Sequence, residues 1–215
     1  MQENQIGSKG GISIGNNSSW INLEFLKLHG NKIGDEGACA IAMNSTWVNL
    51  KELDFSSNNI GAQGAHAIAM NTIWVNLKKL CLCKNEIGEE GEAAFVNNTT
   101  WRKLEKLNLE RNQIGNKAAI AIASNPIWNE LASLQLGWNK IGNEGAVAIG
   151  RNTIWKQIRA FDLSLNNFGW KGIITISHNL SWEKIEIINL SGKQGNTIER
   201  CNALKITSLS QYYYH

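Results

Sequence analysis

Cys81 and Cys83 stand two residues apart, and in an extended chain that spacing turns both thiols to one side. Two soft ligands could begin a metal site, but a structural zinc site needs four. His29 shares the phase of Cys83 two periods earlier, which is roughly 10 Å away at a strand spacing of about 4.8 Å, so neither a metal nor a cofactor is expected and the pair reads as two small thiols on a strand face. G-x-S-x-G, H-E-x-x-H, P-loop and C-x-x-C patterns are absent, which predicts no catalytic residue. The chemistry that remains is recognition. Lys84, Arg111, Trp138 and Leu165 succeed one another every 27 residues, and tryptophan and arginine carry much of the binding energy at protein interfaces. Trp170 lies in the repeat that follows that of Trp138 and, like Trp138, falls outside the regular tryptophan positions. The competing account of this patch is internal, with Trp138 packed on the Arg111 side chain.

These residues are positioned by a repeat. Trp20, Trp47, Trp74, Trp101, Trp128, Trp155 and Trp182 are separated by 27 each time, and such a period marks a stacked array of like units. Asn31, Asn58, Asn85, Asn112, Asn139 and Asn166 form a second column, followed two residues later by Ile33, Ile60, Ile87, Ile114, Ile141 and Phe168, and then by glycine. The unit reads W-x-x-L-x-x-L-x-L-x-x-N-x-I-G-x-x-G-A-x-A-I-A-x-N-x-x.

The L-x-x-L-x-L-x-x-N-x-I core resembles the leucine-rich repeat signature, and the following G-x-E-G-A-x-A-I-A resembles the ribonuclease-inhibitor type. The tryptophan column and the slightly short unit depart from the commonest form of that subfamily. The resemblance implies an α/β solenoid, a right-handed superhelix with parallel strands on a concave face and helices outside. It also implies that the concave face and the loops at its edge bind a folded protein. A second branch of the family activates GTPases through an arginine on a strand-to-helix loop, for which Arg111 is the counterpart here. Repeats of this type are also similar to those of some host-associated bacteria and protists.

Within each unit L-x-L predicts a short strand with its leucines inward, and "DEGACAIAMN" predicts a helix of about ten residues, marginal alone in water. Gly37, Ala40 and Ile41 are expected to share its packing face. The tryptophans and the first asparagine column are expected in the core, the asparagines bridging buried loops of neighbouring turns. The strand positions that vary are Lys27, Asp54, Cys81, Asn108, Gln135, Asp162 and Asn189, then His29, Ser56, Cys83, Glu110, Gly137, Ser164 and Ser191. Lys27, Asp54, Glu110 and Asp162 complete the candidate protein-binding set with Lys84, Arg111, Trp138, Leu165 and Trp170.

Composition narrows the partner. With 21 basic and 18 acidic residues intermixed, the net charge of +3 is weak for a polyanion-binding field, so a protein partner is expected and nucleic acid is not. No apolar run reaches membrane-spanning length, and "MQENQIGSKG" is too polar for a secretory signal. Four cysteines at unrelated phases predict free thiols and a cytoplasmic setting, or delivery to a host cytosol by another route.

Residues 1–215 are expected to form one repeat domain. A partial unit spans 1–19, since Asn4, Ile6, Gly7 and Gly10 stand 27 before Asn31, Ile33, Gly34 and Gly37. Seven tryptophan-led units span 20–192, and 193–215 form a capping helix around Ile198, Cys201 and Leu204. The half-unit start predicts an open edge that continues a longer array, is covered by a partner, or self-associates. The leading expectation is a non-enzymatic interaction scaffold, with GTPase activation second and structural self-assembly third.

Overall fold

Leu26 and Leu28 alternate with Phe25, Lys27 and His29, and an alternation of period two can bury only one side of a strand. In the computed structural model, which describes residues 1–90, 95 and 97–192, this segment forms a strand in every unit. The strands are β1 (Phe25–Lys27), β2 (Glu52–Asp54), β3 (Lys79–Cys81), β4 (Lys106–Asn108), β5 (Ser133–Gln135), β6 (Ala160–Asp162) and β7 (Ile187–Asn189). They make one 7-stranded parallel sheet in chain order. Because register and period coincide, Leu26 pairs with Leu53 and Leu53 with Leu80. The described helices are α1 (Gly7–Gly15), α2 (Gly34–Ala42), α3 (Ala62–Ala69), α4 (Asn116–Ser124), α5 (Asn143–Gly150) and α6 (Trp170–Ser177). The expected α/β leucine-rich repeat solenoid is thus the observed architecture. The expected cap at Ile198, Cys201 and Leu204 lies outside the described residues.

The buried face of α2 is Gly37, Ala38, Ile41 and Ala42, while Ala40 is half-exposed. This corrects the expected Gly37, Ala40, Ile41 face. Helix α2 packs against both α1 and α3, which turns its buried arc toward Ala38. A Cβ at Gly64 would stand 3.0 Å from the Cβ of Ala38, and one at Gly145 only 2.8 Å from that of Ala119. Glycine at these positions sets the helix spacing.

Trp47, Trp74, Trp101, Trp128 and Trp155 are fully buried and Trp182 nearly so. Trp20 is half-buried and stacks on Trp47 with ring centroids 6.3 Å apart. The indole Nε1 of all six from Trp47 to Trp182 is buried without a hydrogen-bond partner. The rings therefore stabilise by packing and burial alone, less the penalty of an unpaired donor of about 1–3 kcal/mol.

Asparagine supplies the polar half of the core. Asn58 accepts from the backbone N–H of Asn31 (3.0 Å) and Ile33 (3.2 Å) in the previous turn, and donates to Leu28 O (2.8 Å) and Ser56 O (3.0 Å). Asn85 and Asn139 repeat the pattern. At Asn112 the ladder lacks a rung: its Nδ2 donates to Leu82 O at 2.8 Å, but its Oδ1 has no partner. The second asparagine column, at the end of each unit, works on the helices. Asn71 donates to Ala42 O (2.7 Å) at the end of the preceding helix and accepts from the N–H of Ile73 and Trp74 (2.9 Å each). Asn152 does the same for Ala123 O (2.7 Å), Ile154 and Trp155.

Helix starts are capped across turns too. Asp35 Oδ1 accepts from Gly61 N (2.7 Å) and Gly64 N (2.9 Å) of the following turn, and Asn116 serves Gly142 (2.8 Å) and Gly145 (3.0 Å) likewise. Where the upstream residue is Ala62, with no acceptor, Gly88 adopts φ +63° instead of the extended φ −96° of Gly61. Replacing Asp35 with alanine should cost about 1 kcal/mol, the usual value of a lost helix cap. Asp35→Asn should be close to neutral, because Asn116 and Asn143 already cap in this way. Equal losses in urea denaturation would show that charge, not the acceptor, is at work.

Candidate protein-binding face

The sheet presents its leucines inward, so the outward residues of β1–β7 form a largely polar face with Phe25 and Ile187 exposed at its two ends. Two chemistries meet there. Toward the first turns the face is charged: Lys27 Nζ lies 2.9 Å from Glu52 Oε1, and Lys79 Nζ 3.8 Å from Glu52 Oε2. The hydrogen bond and charge of Glu52 hold the Lys27 ammonium above the ordinary lysine value. A depression of about 230 Å³ opens over β2–β5, lined by Glu52, Asp54, Lys79, Cys81, Lys106 and Asn108 among others. Glu52, Lys79 and Lys106 belong to a column that the sequence reading passed over. The alternation that buries Leu53 also turns residue 52 outward, and that was the available signal.

Asp54 and Asp162 are largely committed to the framework. Asp54 Oδ1 accepts from Ser56 N (2.9 Å) and Ser56 Oγ (2.5 Å), and Asp162 Oδ1 from Ser164 N (2.7 Å). His29 Nδ1 is 2.7 Å from Ser56 Oγ. Since that hydroxyl gives its one proton to Asp54, the imidazole carries its own on Nδ1. This is not a hydrolytic triad: Ser56 is buried and donates to the carboxylate, whereas an activated serine donates to the imidazole. Among the described residues no group of three or more His, Cys, Asp or Glu gathers to hold a metal ion.

At the edge of the face the backbone is strained. Ser57, Lys84, Arg111, Trp138 and Leu165 all have φ of 55–56°, in register with Gly30 at 68°. Each donates its N–H to the next turn, as Arg111 N does to Gly137 O (3.0 Å) and Trp138 N to Ser164 O (2.8 Å), and then turns the chain out of the strand. The left-handed region costs an L residue roughly 1–2 kcal/mol, and glycine would avoid that cost. Arg111, Trp138 and Leu165 occupy it with large side chains. Trp138 is 47% exposed, with the Arg111 guanidinium 4.3 Å from its ring centroid. Arg111 Nε also reaches Glu110 Oε1 at 3.3 Å. Lys84 is exposed, and its ammonium has no ion pair among the described residues.

The structure brings Lys84, Arg111, Trp138 and Leu165 together on successive turns, with Glu110 beside them. Trp170 is not part of that row. It is the first residue of α6, 70% exposed, in the helix-start column of Asp35, Asn116 and Asn143, and no ring contact joins it to Trp138.

The repeat itself is matched by a family model. The family model described as leucine-rich repeat matches residues 21–42, 48–69, 102–123 and 131–150. No curated protein matches the chain. Among solved structures, leiomodin-1 actin-binding site 2 is similar at 16% identity over 74% of this chain and 80% of that one, with a TM-score of 0.44. A TLR13–ssRNA13 complex matches at 18% identity over 88% of this chain and 31% of that one, TM-score 0.46. An internalin from Listeria monocytogenes matches at 18% identity over 83% and 56%, TM-score 0.43. The 27-residue register, the strand and helix of the regular turn and the repeat model matched in four stretches together give this chain the leucine-rich repeat fold.

Proposed function

We propose that this protein is a non-enzymatic interaction scaffold, an adaptor, inhibitor or effector that holds a folded protein against its outward strand face and the row Lys84, Arg111, Trp138 and Leu165. The observation that carries the reading is the left-handed backbone of that row. Strain at an exposed edge that glycine would relieve is expected where the side chain itself is used. The ribonuclease-inhibitor-like subtype is part of this reading and is supported by turns that pair a strand with a helix. So is a reducing, cytosolic setting, supported by the free thiols of Cys39, Cys81 and Cys83. A protein is preferred to nucleic acid because charges of both signs alternate, as in Lys51–Glu24, Lys78–Glu105 and Arg159–Glu186. GTPase activation is not favoured, since Arg111 is already engaged by Glu110 and Trp138.

Affinity capture from a cell lysate, comparing the native chain with Arg111→Gly/Trp138→Gly, tests the proposal. A specific protein should be captured by the native chain and lost with the variant. The variant's denaturation midpoint should stay level or rise, because two residues are relieved of about 1 kcal/mol or more each while one cation–π contact is lost. Unchanged capture would remove the row from the interface. Faster GTP hydrolysis by a captured GTPase would point to the second reading, and concentration-dependent self-association without other proteins to the third.

A further inference from the structure

The sulfur atoms of Cys81 and Cys83 lie 3.5 Å apart on the outward face, and the function proposed above makes no use of them. We propose that the pair is a modification site, a dithiol that closes to an intramolecular disulfide by exchange with a small neutral disulfide. Both thiols are half-buried, open enough to meet a small reagent yet already in contact with one another. Residues two apart on an extended chain have Cα atoms about 6.6 Å apart, at two rises of about 3.3 Å. That is near the upper end of the roughly 4.4–6.8 Å that disulfides span. Side chains that project in parallel also have their Cβ atoms about 6.6 Å apart, against roughly 3.5–4.5 Å in a disulfide, so closure must bend the backbone at Leu82. The bond forms under strain, and a strained disulfide is readily reduced.

The two thiols have different parts. The hydrogen bond from Cys81 stabilises the Cys83 thiolate and lowers its pKa, against the opposing effects of burial and of Glu110 and Asp54. The same bond, with burial, pushes Cys81 up. Cys83 is thus the attacking sulfur. Its thiolate attacks one sulfur of R–S–S–R, forming Cys83–S–S–R and expelling RS⁻. The Cys81 thiol loses its proton as it attacks the Cys83 sulfur, expelling a second RS⁻. Both thiolates leave as RSH once protonated, so R–S–S–R is reduced by two electrons and the dithiol oxidised by two. Cys39 is an internal control, because burial and the nearby Asp35 carboxylate raise its thiol pKa and neither Cys81 nor Cys83 is a partner of its sulfur.

The test uses the full chain, reduced and then exposed to hydroxyethyl disulfide without denaturant. Alkylation with iodoacetamide and tryptic digestion follow. Lys79 and Lys84 bracket a peptide that holds both cysteines, so its mass reads the outcome directly. The expected product is a peptide two hydrogens lighter and free of alkyl groups, formed about tenfold faster than any Cys39 adduct and reversed by dithiothreitol. Cys81→Ser should instead accumulate the mixed disulfide at Cys83, while Cys83→Ser should leave Cys81 about tenfold slower than Cys83 in the other variant. A persistent mixed disulfide in the native chain, or a rate no greater than that of Cys39, would overturn the proposal.

Discussion

Trp101→Ala should lower the unfolding free energy by about 3–5 kcal/mol, the range for truncating a large aromatic in a packed core. Trp101 is fully buried, and its ring lies 6.3 Å from that of Phe95. Trp101→Phe should cost less than half as much, because the smaller ring keeps most of the packing and removes an indole N–H that has no partner. Trp138→Ala should have little effect, since that ring is exposed and alanine leaves the backbone strain unchanged. Urea denaturation of the three variants checks the order. If Trp101→Phe were as damaging as Trp101→Ala, the indole nitrogen would be making a bond that the geometry does not contain.

Asn58→Ala should cost about 2–4 kcal/mol, because truncation strands the N–H groups of Asn31 and Ile33 and a lone pair of Leu28 O, and each buried group left unpaired costs about 1–3 kcal/mol. Asn112→Ala supplies the comparison. The Asn112 carboxamide oxygen is already unpaired, so only its donations to Leu82 O, Leu109 O and Glu110 O are lost. It should be milder by about 1 kcal/mol or more. Equal losses in the two variants would mean that the acceptor half of the column contributes nothing.

Much of this arrangement was legible because one number, the period, fixes the register of every strand. Leu26, Leu53 and Leu80 had to stack if the units were equivalent. The polar columns were legible as positions, but only the first as a role. That the second asparagine ties one helix end to the next turn depends on where each helix stops, which the pattern locates only to within a residue or two. The rotation of the α2 face toward Ala38 escaped for the same reason, since it depends on helix against helix. The left-handed row had a signal in hand: its column opens with Gly30 and holds Gly192 at its far end. The 3.5 Å sulfur contact had none, because side-chain rotamers leave no trace in spacing.

The capping pattern bears on how the array unfolds. Asp35 caps the start of the following helix, while Asn71 closes the end of the preceding one. A regular turn thus borrows part of its termini from both neighbours, and the intrinsic stability of a turn is low while the coupling between turns is high. In a one-dimensional chain of such units the boundary between folded and melted segments is itself unfavourable. Melting therefore spreads over several turns at once. The boundary is least unfavourable where coupling is weakest, and Ala62, which offers no cap, and Asn112, whose acceptor is idle, flank the same turn. That turn keeps its other cross-turn bonds, such as Asn98 Nδ2 to Ala69 O. A domain wall would settle there, dividing the solenoid into two cooperative blocks with separate transitions.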